Sequence, residues 1–365
     1  MLHRINAMME WLQKEDADTA IITSSENVFY FSSFFSDPHE RLLAIVLFRE
    51  QEPFLICPQM EVTSAKNAGF AYQVLGYSDT ENPWDLVKAE INKRVGNVQK
   101  IAVEKTHMNI ERYETLAAIF PNSAFIQAED ILNELRLLKD EQEVEKLQKA
   151  CELADYAIEV AVNTIREGVT ELEIVAAIEY ELKKKGVEQM SFATTVLTGA
   201  NAASPHGTPG LTKVQSGDFV LFDLGVVYKG YCSDITRTVA FRDVTEEHVQ
   251  IYETVLKAQE AAIAISVPGV SCATLDKTAR NIIREAGYGE YFTHRLGHGL
   301  GISIHEYPSI TETNDLTLRS GMVYTIEPGI YIPNDIGVRI EDDVFITDQG
   351  ARLLTKYPKN LQIVK

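Results

Sequence analysis

Apolar residues recur at helical spacing near the start of the chain, at Leu2, Ile5, Met9 and Leu12, and predict a helix over Leu2–Lys14. Residues 19–23 read as a strand. Residues 41–49 and 52–57 read as a hairpin of buried strands, rich in Leu, Ile, Val and Phe. A helix near 59–68 and a strand near 71–75 follow. Pro83 then opens another helix at a favourable first-turn position. A strand at 101–104, a helix at 110–120 and a strand at 124–126 complete the segment. Helices and strands that intermix in this way predict an α/β domain with a mixed sheet, residues 1–126.

The pattern then changes. Val144, Leu147, Cys151, Ala154, Ile158 and Val162 form one apolar stripe, which predicts a long helix over 141–166. Thr170 and Glu173 make a capping box for a second helix, ending near Gly186. The plan returns later. A helix over 245–265 stops at Pro268-Gly269, and Ser271 caps another that ends at Gly287. Gly168 to Gly186 and Gly269 to Gly287 span the same distance, and each helix pair is followed by strands. Residues from about 140 to 365 therefore read as two helix-helix-strand copies about a pseudo-twofold, within an α+β domain of residues 127–365, with a site expected between them.

Two segments in this domain carry paired acids. Residues 220–238 hold Asp223 and Asp234 about a turn at Tyr228-Lys229-Gly230. Residues 325–343 hold Glu327 and Glu341 about Pro333-Asn334-Asp335. If each is an antiparallel hairpin, its two acids lie opposite or nearly opposite, with Cβ atoms about 5 Å apart. Any one acidic strand residue is more often solvated. Asp223, however, sits in the apolar run Phe219-Val220-Leu221-Phe222-Asp223-Leu224, where an unpaired charge is costly. Two such pairs make poor structure alone and good structure around divalent cations.

Histidines gather between and beside these segments. His206 precedes the first, and His294, His298 and His305 fall within twelve residues of a glycine-rich stretch. Neither a His-Glu-x-x-His helix motif nor a phosphate-loop pattern is present. Arg339 alternates with Glu341, so the two share a strand face. The arginine reads either as a structural ion pair or as a cation for a substrate carboxylate. In the first domain, Ser36-Asp37-Pro38-His39-Glu40-Arg41 is a densely charged loop.

Composition narrows the partners. A net charge of -19 argues against nucleic acid and anionic membrane surfaces. No apolar run approaches the roughly 20 residues needed to span a bilayer, and the N-terminus does not read as a signal peptide. Four scattered cysteines without redox or metal spacing suggest a cytoplasmic protein. Carboxylates with imidazole and no thiolate favour harder divalent ions, with manganese or cobalt ahead of zinc. Four carboxylates are accounted for by two ions about 3.5–4 Å apart that activate a water for amide or ester hydrolysis.

Together and in order, the Asp-Leu-Gly hairpin, Gly-His-Gly-Leu-Gly, Glu-Pro-Gly-Ile-Tyr and the Arg-x-Glu strand resemble the pita-bread metallopeptidase family. This family includes methionine and Xaa-Pro aminopeptidases, prolidases and creatinases. The first domain resembles the creatinase-type N-terminal domain of the proline-specific members. The resemblance implies a dinuclear centre held by Asp223, Asp234, His298, Glu327 and Glu341, with a hydroxide bridging the ions. It implies Glu327 as proton shuttle and His206 and His305 as stabilisers of the oxyanion. His294, Tyr331 and Arg339 would orient the proline end and its carboxylate, and the cofactor would be two divalent ions, manganese foremost with cobalt or zinc as alternatives. The chain length and compact first domain resemble those of bacterial and archaeal prolidases, and this resemblance favours action on Xaa-Pro dipeptides. An Xaa-Pro aminopeptidase, releasing the residue before proline in longer peptides, is the alternative, and a non-catalytic binding protein on the same fold is disfavoured. His39 and Arg41 are expected to cap a partner's site in a homodimer.

Overall fold

In the computed structural model, which describes residues 2–365, helix α1 (Leu2–Lys14) buries Ile5, Met8 and Leu12. Leu2 remains 61% exposed, so the buried stripe passes through Met8 rather than Leu2 and Met9. The chain divides into two units, Met1–Leu135 and Arg136–Lys365. After α1 the first unit runs β1 (Thr19–Ile22), α2 (Ser25–Ser32), β2 (Ala44–Phe48), β3 (Phe54–Pro58), α3 (Val62–Asn67) and β4 (Gln73–Tyr77). It continues α4 (Pro83–Val95), β5 (Lys100–Val103), α5 (Ile110–Ile119), β6 (Ala124–Gln127) and most of α6 (Glu129–Leu137). The sheet order is β4-β3-β2-β1-β5-β6. β1–β2 and β2–β3 pair antiparallel, the other neighbours parallel, so the sheet is mixed as the pattern predicts. Every residue of β1, β2 and β3 is buried, which accounts for their unbroken apolar runs. This unit runs past the boundary read at 126, to Leu135 within α6, because α6 follows β6 after one residue and the Tyr30 hydroxyl donates to the Leu135 carbonyl.

The second unit begins with α7 (Glu141–Thr164) and α8 (Glu171–Lys184), each opened by a complete capping box, Asp140 with Glu143 and Thr170 with Glu173. Strands β7 (Gln189–Met190), β8 (Thr195–Thr198), β9 (Phe219–Leu224), β10 (Val226–Tyr228), β11 (Tyr231–Cys232) and β12 (Ile235–Phe241) follow. Then come α9 (Glu246–Ala264) and α10 (Cys272–Glu285), with β13 (Gly297–Gly299), β14 (Glu306–Ile310), β15 (Val323–Ile326), β16 (Gly329–Ile332), β17 (Ile336–Arg339), β18 (Asp342–Thr347), β19 (Gly350–Leu353) and β20 (Ile363–Val364). The repeat is structural. α8 and α10 each have 14 residues, and Gly168, Gly186, Gly269 and Gly287 all adopt positive φ, between 77° and 93°. Each copy has its own core: one packs α7 and α8 on β9 and β12, the other packs α9 and α10 on β15 and β18. Among the described residues no helix is long and apolar enough to cross a membrane.

The acidic segments are hairpins with one difference from the expectation. In the first, Asp223 stands opposite Thr236, so Asp234 is a diagonal neighbour on the same face, two residues from direct opposition. In the second, the register running from Ile326↔Asp342 to Gly329↔Arg339 sets Glu327 directly across from Glu341. Both turns contain non-glycine residues at positive φ, Lys229 at 48° and Asn334 at 61°.

Candidate metal centre

Asp223, Asp234, His298, Glu327 and Glu341 all line one cavity of about 630 Å³ in the second unit. The two aspartates come from the first copy and the other three residues from the second. His298 reaches the cavity because β13 lies hard against β15. A Cβ at Gly297 would stand 1.9 Å from the Thr325 carbonyl oxygen, so only glycine permits the approach. The Thr325 hydroxyl accepts the His298 N–H at 3.1 Å and donates to Glu327 Oε1 at 3.3 Å, fixing two of these residues at once. Glu341 is held by the first copy: its N–H donates to the Thr236 carbonyl at 3.1 Å, and its Oε2 accepts from the Thr236 hydroxyl at 2.7 Å.

This cluster is short of positive charge. Ligand atoms of Asp234, His298 and Glu341 lie within 4.8 Å of one another. Burial, with Glu341 and Asp223 nearby, pushes the Asp234 carboxyl well above the usual range; burial, Glu327 and Asp223 do the same to Glu341. Burial also raises Asp223, against the pull of Arg339. For Glu327 burial is outweighed by the hydrogen bond and charge of His298, and its carboxyl lies below the usual range. His298 Nδ1 faces the Gly299 carbonyl at 3.1 Å, and a carbonyl can only accept, so Nδ1 carries a proton. Among the described residues Nε2 then faces carboxylates alone, 3.3 Å from Glu327 and 3.7 Å from Asp234. That geometry calls for a second proton or a metal ion. Asp234 Oδ1 is buried with no hydrogen-bond partner among the described residues. An oxygen and imidazole set with an orphaned carboxylate oxygen fits a divalent cation.

Three more histidines line the same cavity. His206 sits exposed in the loop after β8. The His305 ring centroid lies 4.2 Å from that of His298; partial burial, His298 and Arg295 push its imidazole down to about 4. His294 Nδ1 faces the Arg295 carbonyl at 2.8 Å, so its Nε2 accepts from the Tyr331 hydroxyl at 2.9 Å. Arg339 is buried, and all three of its guanidinium nitrogens have partners: Nη1 donates to the Tyr331 hydroxyl, Nη2 to Asp223 and Nε to Thr236. Its evident task is to hold Asp223 and Tyr331. A substrate carboxylate would meet only the protons left over.

His39 and Arg41 lie in the first unit, beside a groove of about 780 Å³. The His39 side chain is 72% exposed, whereas Arg41 is engaged with Asp79 through two nitrogens, the closer at 2.8 Å.

Three residues passed over in the sequence belong to this architecture. Arg295 lines the cavity, and its place inside the histidine-rich stretch was a signal. Buried Arg237 pairs with Asp342 at 2.7 Å and also donates to the Glu341 carbonyl. Asp343 accepts the Asp234 N–H at 2.9 Å and the Cys151 thiol at 3.2 Å. The last two are long-range pairings, which local sequence does not display.

Comparison with known proteins follows the same division. Residues 145–348 match the model of metallopeptidase family M24, and residues 4–138 match the creatinase/prolidase N-terminal domain. The chain is 52% identical to a Bacillus subtilis protein provisionally named dipeptidase YkvY, covering all of both. Among solved structures it resembles an Xaa-Pro dipeptidase from Bacillus anthracis, with a TM-score of 0.93 and 32% identity over 100% of this chain and 99% of that one. It also resembles an X-Pro aminopeptidase from Thermotoga maritima, with a TM-score of 0.86 and 35% identity over 96% and 98%.

Proposed function

The chain belongs to metallopeptidase family M24, and from that premise we propose that it hydrolyses the Xaa-Pro bond of dipeptides. Asp223, Asp234, His298, Glu327 and Glu341 would hold two divalent ions, manganese foremost. The observation that supports this most is His298 Nε2, aimed at the carboxylates of Glu327 and Asp234, beside the Asp234 oxygen that has no hydrogen-bond partner among the described residues. When bound, the ions would supply the Lewis acidity that makes a water nucleophilic near neutral pH.

The chain's own groups do the rest. Glu327 takes the attacking water's proton and returns it to the proline nitrogen as the bond breaks. His206 and His305 donate to the oxygen that gains charge. His294 and Tyr331 orient the proline end, with Arg339 holding Tyr331 in place and offering its remaining N–H groups to the carboxylate. The exposed ring of His39 serves a partner subunit's site in a homodimer, while Arg41, already paired with Asp79, sets the loop.

A second reading, release of the first residue from longer Xaa-Pro peptides, is favoured by the likeness to the Thermotoga X-Pro aminopeptidase. The ratio of kcat/KM for Leu-Pro to that for Leu-Pro-Gly separates the two. A clear preference for the dipeptide supports the prolidase, and equal or faster tripeptide cleavage supports the aminopeptidase.

A further inference from the structure

The loop between β13 and β14 carries His305 into the cavity. His294 and His298 have ring nitrogens tied by hydrogen bonds, whereas among the described residues no hydrogen bond holds the His305 ring. Its placement therefore falls to the main chain. We infer that Glu306 is the positioning residue for His305, acting through this loop from a buried ion triad with Arg136 and Lys139. The inference rests on the reading of His305 as a donor to substrate.

The Glu306 side chain is 5% exposed. Its Oε1 accepts the Ser303 N–H at 3.0 Å and pairs with Arg136, while Oε2 accepts from Lys139 at 3.1 Å. The same Arg136 nitrogen donates to the Ser303 hydroxyl at 2.7 Å, and the Lys139 ammonium also donates to the Arg136 carbonyl at 2.8 Å. Gly301 lies against the carboxylate: a Cβ there would stand 2.7 Å from both oxygens. From the other side, the Cys232 N–H donates to the Gly301 carbonyl at 2.7 Å and its thiol to the Ile302 carbonyl at 3.3 Å.

The loop is thus pinned at 301, 302, 303 and 306, and Ile304 and His305 hang between fixed points. Burying three charges is poor value as stabilisation, because an apolar replacement often serves as well. What the triad supplies is a fixed loop geometry beside the reacting bond.

Glu306→Gln keeps the shape and the acceptor for Ser303 but removes the charge that gathers Arg136 and Lys139. In manganese-loaded enzyme it should lower kcat for a proline dipeptide about 10²-fold, the cost of a displacement of about 1 Å, with metal content unchanged. The double variant with His305→Ala should be no slower than His305→Ala alone, since one residue acts through the other. Losses that multiply, or loss of metal, would overturn the inference. Hydrogen–deuterium exchange across residues 300–306 reads the anchor without reference to rate: faster exchange is expected, and unchanged exchange overturns the claim. Full rate in His305→Ala would instead overturn the oxyanion reading, leaving the exchange result to judge the anchor. Should Glu306→Gln fail to fold, Arg136→Gln, which leaves Lys139 in place, carries the same readouts.

Discussion

Arg237 and Asp342 form an ion pair at 2.7 Å in which each side chain is about 1% exposed. The guanidinium also donates to the carbonyls of Thr236 and Glu341, so it joins the strand after Asp234 to the backbone of Glu341. Removing one partner of a buried pair strands the other charge and costs about 3–5 kcal/mol. Arg237→Met should lose stability of that order in denaturant unfolding. Lys359→Met, which removes the more exposed second partner of Asp342 at 2.9 Å, should cost less.

His206→Ala and His305→Ala should each lower kcat about 10²–10³-fold, as for loss of one oxyanion donor. Metal content, measured by elemental analysis, should stay at the wild-type level. Metal loss in proportion to the rate would make the residue a ligand instead.

Glu306 gives a pH signature. Arg136 and Lys139 overcome the burial penalty and hold its carboxyl down to about 2, from an ordinary 4.5. A depressed folded-state value contributes stability above the unfolded value and loses it as pH falls through the folded one. The stability gap between wild type and Glu306→Gln should therefore be constant above about pH 5 and shrink between about pH 4.5 and 2. A gap independent of pH would contradict the pairing.

His39→Ala should raise KM for a proline dipeptide more than for a tripeptide, whereas Arg41→Ala should act mainly by loosening the loop that Asp79 ties down. Equal effects of His39→Ala on both substrates would remove His39 from substrate recognition.

Much of this architecture was legible in the chain. The stripe of α7, the Thr170–Glu173 capping box and the equal glycine spacings are local signals, and local signals specify helices and their ends. The gathering of the acids in one cavity was legible because charge in an apolar strand demands a partner. Two helices were not. α2 buries residues on several sides, so it shows no amphipathic stripe, and its start is fixed by Glu104, which accepts from the N–H groups of Thr23 and Ser24. α6 follows β6 after one residue, and no glycine or proline marks either of its ends. The offset of Asp234 from Asp223 was hidden as well. It depends on where the ladder passes from β9–β12 into the smaller sheet of β10 and β11, a matter of register rather than composition.

The central claim is that the carboxylates and His298 are a metal site on which hydrolysis depends. The most direct measurement is metal content per chain, followed together with Leu-Pro hydrolysis as manganese is returned to chelator-stripped protein. Activity should vanish on stripping and recover as about two equivalents bind, and Asp234→Asn should bind less and recover little. Full activity in protein that elemental analysis finds free of metal would contradict the account.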